Sequence, residues 1–164
     1  MNAPVSSLQF VETDAFAAAT SAFNEWRGRC IASFASAEAA ASEALLALVK
    51  QGRPIKPPPP VGARYDLLAA ALEGVEGAAP ALAALAAFRK RDTLRHFLTH
   101  GAARIALDRK GRWLAVLTMI ELGGGNSDRR ILVVDQDDIA ARARDLHADM
   151  QRLVAHLRRF FGTA

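Results

Sequence analysis

Cysteine is nearly missing from this chain. Cys30 is the only one in 164 residues, which excludes a disulfide framework and a zinc site built on thiolates. It falls in a helical pattern and reads as a small buried apolar group. Also missing is an apolar run of the roughly 18 residues that a membrane-spanning helix needs; hydrophobic residues make up 51% of the sequence, but alanine supplies much of that share. The start, Met1-Asn-Ala-Pro-Val-Ser-Ser7, has no basic stretch followed by an apolar core, so it does not read as a secretory signal. These absences predict a cytoplasmic, reducing location and no membrane association. Two motif classes are missing as well. Gly123-Gly124-Gly125-Asn126 lacks the Gly-Lys-Ser/Thr ending of a phosphate-binding loop and reads as a flexible hairpin tip. No Gly-x-Ser-x-Gly is present, which argues against a serine hydrolase of that kind. A metal site finds no ligand set: His147 and His156, nine residues apart, fall on opposite sides of one helix. Neither a metal nor another cofactor is expected.

What the chain has in excess is positive charge, and the excess is local. Lysine and arginine number 21 against 17 acids, a formal charge of +4. From Arg89 to Arg112 stand Arg89, Lys90, Arg91, Arg95, Arg104, Arg109, Lys110 and Arg112, opposed only by Asp92 and Asp108; before Gly52 the balance leans acidic. A local basic segment points to phosphate or nucleic acid more than a uniformly basic chain would. The plainer alternative is an arginine-rich solvated surface.

The periodicities predict a mainly α chain. Thr13 or Asp14 can cap a long first helix whose stripe (Phe16, Phe23, Trp26, Cys30, Phe34, Ala37, Ala41, Leu45, Leu48) recurs at steps of three, four and seven up to about Lys50. Residues 53–62, with four consecutive prolines, cannot be helical and form a stiff connector. A short helix is expected from Arg64 to Glu73, then a third from about Ala79 to His100, with Pro80 in its first turn and Gly101 as its stop. Residues 103–134 are β-prone and predict two or three antiparallel strands, with one sheet face on helices and the other open to a partner. Asp135 reads as the cap of a last helix, Asp137 and Asp138 as acids in its first turn. Ile139, Ala143, Leu146, Met150, Leu153, Leu157 and Phe160 mark its apolar seam. The expected fold is one domain over 1–164: a bundle of about four helices with a small antiparallel sheet inserted before the C-terminal helix.

Within that frame one segment carries chemistry, Arg95-His96-Phe97-Leu98-Thr99-His100-Gly101. Arginine holds phosphate and stabilises anionic transition states, and histidine moves protons near neutral pH. The spacing alone is a weak signal in a chain with 17 arginines and 4 histidines, and a second frame, Arg91 to His96, overlaps the first. Glu38 and Glu43 read as solvated.

Arg95-His96-Phe97-Leu98-Thr99-His100, followed at once by Gly101, resembles the motif of the HEPN superfamily: arginine, a polar residue, three further residues, then histidine. The motif covers about seven residues; the helical layout extends the likeness loosely over 13–101 and 136–161, and the β-rich segment departs from it. The resemblance implies a dimerising helical bundle and a metal-independent endoribonuclease of the toxin, defence or RNA-processing kind. An antitoxin or regulatory protein is an implied partner. It assigns catalysis to Arg95 and His100, with His96 orienting the phosphate or the partner histidine. Arg89, Lys90, Arg91 and Arg104 would hold the RNA backbone. Five residues at 100° each set Arg95 and His100 about 140° apart on a straight helix. They converge only if the arginine wraps, if the helix ends at His100, or if a second copy, met through helical surfaces, completes the site. Three other classes remain: a non-catalytic HEPN-like module binding RNA or a partner, a winged-helix-like DNA-binding protein built on the basic helix and following hairpin, and an α-rich interaction protein without nucleic acid.

Overall fold

The computed structural model describes residues 14–56, 60–123 and 126–162. In chain order the elements are α1 (Asp14–Lys50), α2 (Val61–Leu72), α3 (Ala79–Arg89), α4 (Asp92–His100), β1 (Ala102–Leu107), β2 (Trp113–Gly123), β3 (Asn126–Asp135) and α5 (Ile139–Phe161). The fold is mainly α, with five helices and a three-stranded sheet ahead of the last one. The hairpin tip at 124–125, and part of the proline run at 57–59, lie outside the described residues.

α1 runs for 37 residues, continuous through Gly28. Its stripe is buried from Ala19 to Leu48, with Phe23, Trp26, Cys30, Phe34, Ala37, Ala41 and Leu45 between. α5 lies along this stripe and also meets α3. Leu146, Met150, Leu153 and Leu157 of the α5 seam are buried, and Ile139, Ala143 and Phe160 are partly so. Burying each large aliphatic side chain contributes about 1.5–3 kcal/mol, so this pairing makes a large contribution to stability. Among the described residues α1 is also the one helix long and apolar enough, by length and composition, to cross a membrane. Here its buried stripe is taken by protein. Alanine accounts for the difference from the sequence expectation: it raises mean hydropathy without forming an unbroken apolar run.

α2 begins directly after Pro60, whose φ of −69° and extended ψ lead into the first turn. It buries Tyr65, Leu68 and Leu72, one face at helical spacing. The predicted single helix from Ala79 to His100 is two helices. At Lys90 and Arg91 the backbone tightens: Arg91 N–H donates to Phe88 O at 2.9 Å, a three-residue step, and helical hydrogen bonding resumes with Arg95 N–H on Arg91 O at 3.0 Å. The physical reason is that two faces must be buried in different places. Phe88 packs edge-on to Phe34 and Tyr65, and α3 lies on α5. Phe97 and Leu98 instead turn α4 toward α1 and β2.

The sheet is an antiparallel meander, β1-β2-β3. Ile105 pairs with Ala115 and Ala115 with Val134; Arg104 pairs with Val116 and Val116 with Val133. The two-residue period puts Trp113, Ala115, Leu117 and Met119 on the inner face, all buried against the helices. The final helix starts later than expected. Asp135 Oδ1 accepts Asp137 N–H at 2.9 Å and shapes the turn, while Asp138 occupies the cap position without a side-chain cap bond.

Candidate functional site

α4 is nine residues long and held at both ends. Asp92 sits in its first turn, where the helix dipole favours an acid. At the other end Arg27 of α1 donates from Nε to Leu98 O at 2.6 Å, placing a cation where the helix leaves carbonyls unpaired. Gly101 follows with φ −73°, so it is not there for a left-handed turn. Space demands it: a Cβ would stand 2.4 Å from Phe97 O and 3.4 Å from Leu117 Cβ. The glycine lets the chain pass directly from α4 into β1 against the inner face of the sheet.

This anchoring fixes which side chains face outward. His96 and His100, one turn apart, are both exposed, and their ring centroids are 6.3 Å apart. Arg95 turns the other way. Its side chain is 16% exposed and its Nη1 lies 3.4 Å from Glu38 Oε1 on α1. Within one chain, therefore, His96 and His100 come together and Arg95 does not join His100. The overlapping frame fares no better: Arg91 donates from Nε and Nη2 to Asp149 Oδ2 of α5 at 3.0 and 2.8 Å. Glu38, expected in solvent, is a half-buried ion-pair partner.

The four residues expected to hold RNA do not form one free patch. Arg89 pairs with Asp66 and lies 3.8 Å from Asp92. Arg91 is engaged with Asp149. Lys90 is exposed at the α3–α4 junction, beside Arg89 and Asp92 on an open groove of about 590 Å³. Arg104 is exposed on the outer face of the sheet, opposite to the face α4 packs on. Beneath α4 lies a polar cluster that the sequence did not reveal. The Tyr65 hydroxyl is buried without a hydrogen-bond partner, as are Asp92 Oδ1 and Arg95 Nε. Burial first, then the nearby charges of Glu38 and Asp92, push the Tyr65 hydroxyl well above its ordinary range, with Arg95 opposing.

Elsewhere, Arg29, Arg144 and His147 rim a second open groove of about 430 Å³ between α1 and α5, floored by Ala32, Ala143 and Met150. Among the described residues no group of three or more His, Cys, Asp or Glu side chains could hold a metal ion. The class that fold and site define is a mainly α domain presenting an exposed histidine pair at a helix end. No family model, no curated protein and no solved structure matches this chain. The likeness to the HEPN motif thus rests on residues 95–101 alone.

Proposed function

We propose that the protein is a metal-independent endoribonuclease of the HEPN kind, acting in the cytoplasm at the exposed face of α4. The observation that supports this most is the pair of accessible imidazoles, His96 and His100, at 6.3 Å. At that separation both rings can reach one phosphate group held against the exposed face of α4. One imidazole takes the proton from a ribose 2′-OH as that oxygen attacks phosphorus; the other gives a proton to the departing 5′-oxygen. The products are a 2′,3′-cyclic phosphate and a free 5′-hydroxyl. Because both groups belong to one chain, the proton transfers need no second copy. Arg95, with its guanidinium drawn toward α1, acts through the placement of α4 and through its charge behind the pair. Lys90 supplies backbone attraction, which makes RNA affinity fall with salt.

The test is RNA cleavage by purified protein in EDTA. Metal-independent activity lost in both His96→Ala and His100→Ala supports the reading. Cleavage that survives both substitutions sinks it. The engagement of Arg91 and Arg95 by carboxylates favours a second reading, a HEPN-like module that binds RNA or a regulatory protein without cutting. Salt-dependent RNA binding without cleavage identifies that alternative.

A further inference from the structure

The centre of the sheet's outer face is apolar, flanked by Arg104, Arg129 and Asp135, and nothing described covers it. Ile120, Ile131 and Val133 are 59%, 58% and 52% exposed and all point from this face. Leu114 and Val116 lie between the outer strands on the same side. A contiguous exposed aliphatic patch of a few hundred Å² is often a functional interaction site. We infer that this face pairs with the same face of a second copy, the two sheets stacking about a two-fold axis that runs parallel to the strands above β2.

The register identifies the occupant. Across the face, residues stand in rows: Ala106, Leu114 and Asp135; Arg104, Val116 and Val133; Ala102, Thr118 and Ile131. The β1 column is therefore small apart from Arg104, and the β3 column is bulky apart from Asp135. A two-fold axis parallel to the strands lays β1 of one copy over β3 of the other. Ala102 then meets Ile131 of the partner subunit, low ground on high, while Arg104 lies over Val133 of the partner subunit. Arg104 stands one row, about 6.7 Å along the strand, from Asp135 of the partner subunit, within reach of an extended arginine. The pairing occurs twice by symmetry. The copies are thus matched in charge across neighbouring rows and in relief at the Ala102 row, which a two-fold axis repeats. Three strands about 4.8 Å apart and seven residues of β2 give a footprint of only about 300 Å². That is small beside the roughly 800 Å² per partner of a standard interface, so the association is weak and transient.

This interface goes beyond the ribonuclease reading and is physically separate from it. α4 packs on the opposite face, where the Gly101 Cβ position abuts Leu117 and Arg130 lies 5.9 Å over the Phe97 ring. Sheet stacking leaves both histidine pairs open. It replaces the helical surfaces through which the sequence suggested dimerisation.

Sedimentation equilibrium over a concentration series, on the full chain, tests the inference. The expected result is a monomer–dimer equilibrium that Val133→Lys weakens by about 100-fold or more, with its circular dichroism spectrum unchanged. Arg104→Asp and Asp135→Arg should each weaken association by about tenfold, and the double reversal should recover most of the loss. Because Asp135 also shapes a turn, Thr118→Cys gives an independent reading: under the proposed axis Thr118 faces its own copy, and a short bis-maleimide should link two chains there. A protein that stays monomeric at every concentration, a dimer indifferent to Val133→Lys, or no cross-link at Thr118→Cys overturns it. RNA cleavage plays no part in these measurements, so failure of the ribonuclease reading does not affect them.

Discussion

Removing Arg95 should weaken the fold before it affects any chemistry. Arg95 and Glu38 tie α4 to α1 with side chains 16% and 27% exposed, which is neither an open surface pair nor a sealed one. At 3.4 Å the gross attraction at an effective dielectric constant near 20 is about 5 kcal/mol. Most of this is offset by desolvation and by ordering two long side chains. Exposed pairs retain about 0.2–1 kcal/mol, whereas breaking a buried one costs about 3–5 kcal/mol. The contact is longer than the roughly 2.7–2.9 Å of a strong charge-assisted bond, which places the coupling near the lower range, about 1 kcal/mol. Arg95→Ala also loses the packing of the arginine stem, so the single substitution should cost about 2 kcal/mol.

The measurement is a double-mutant cycle in urea using Arg95→Ala, Glu38→Ala and the pair. For a chain of this length each kcal/mol corresponds to about 2–4 °C in Tm. A coupling energy below about 0.3 kcal/mol, the usual error of additivity, would refute the structural role assigned to Arg95. His96→Ala and His100→Ala provide the contrast: both side chains are exposed, and each should change stability by less than about 0.5 kcal/mol. Loss of RNA cleavage in a histidine variant would then report on chemistry, whereas loss in Arg95→Ala must first be corrected for unfolding.

Two further outcomes follow from buried or tightly bonded groups. Tyr65→Phe should be neutral or stabilising by up to about 1 kcal/mol, because the hydroxyl it removes is buried, unpaired and faces two carboxylates. Its raised folded-state pKa means that stability is unaffected by this group below the unfolded value near 10 and falls as pH rises beyond it. As Tyr65 is the only tyrosine, phenolate absorbance should appear together with alkaline unfolding, and ionisation of the still-folded protein near pH 10 would contradict the burial. Asp108 accepts the backbone N–H of Lys110 at 2.8 Å and of Arg112 at 2.9 Å. Chiefly the Arg112 bond holds its carboxyl below the usual range. The turn between β1 and β2 should therefore keep these bonds above the ordinary carboxylate pKa and lose them as pH falls through the lowered one. Amide shifts of Lys110 and Arg112 that titrate at an ordinary aspartate value would rule this out.

Periodicity made most of the fold legible. The α1 stripe and the α5 seam are long repeats that survive local irregularity, and the alternation in 104–108 and the turn at Gly111 announced a sheet. The break between α3 and α4 was harder to see because no proline or glycine marks it. The available signal was Asp92 followed by Thr93, an acid and a capping-type residue inside an apparent helix. What was not legible was the fate of the charges. The acids that engage Arg95, Arg89 and Arg91 lie 57, 23 and 58 positions away. A run of cations looks the same in sequence whether its partners are water, RNA or carboxylates on other helices.

That difference decides how the α4 surface can work. On a continuous helix from Ala79 to His100, Phe97 would stand about 180° round from Phe88, and Arg95 would fall within about 20° of Phe88 on the buried face. Re-aiming the chain at Lys90 and Arg91 lets Phe97 and Leu98 sink against α1 and β2. The same rotation draws Arg95 onto Glu38, holds Arg91 on Asp149 and leaves His96 and His100 outward. The arginines thus become the means by which a short helix, too short to be stable alone, is fixed in place. The histidines are what that fixation presents. Under the proposed ribonuclease reading, the pair of imidazoles is held in place by arginines that need not touch the substrate. Substitutions should therefore differ in kind: Arg95→Ala should cost mainly stability, and, on the proposed reading, His96→Ala and His100→Ala should cost mainly cleavage.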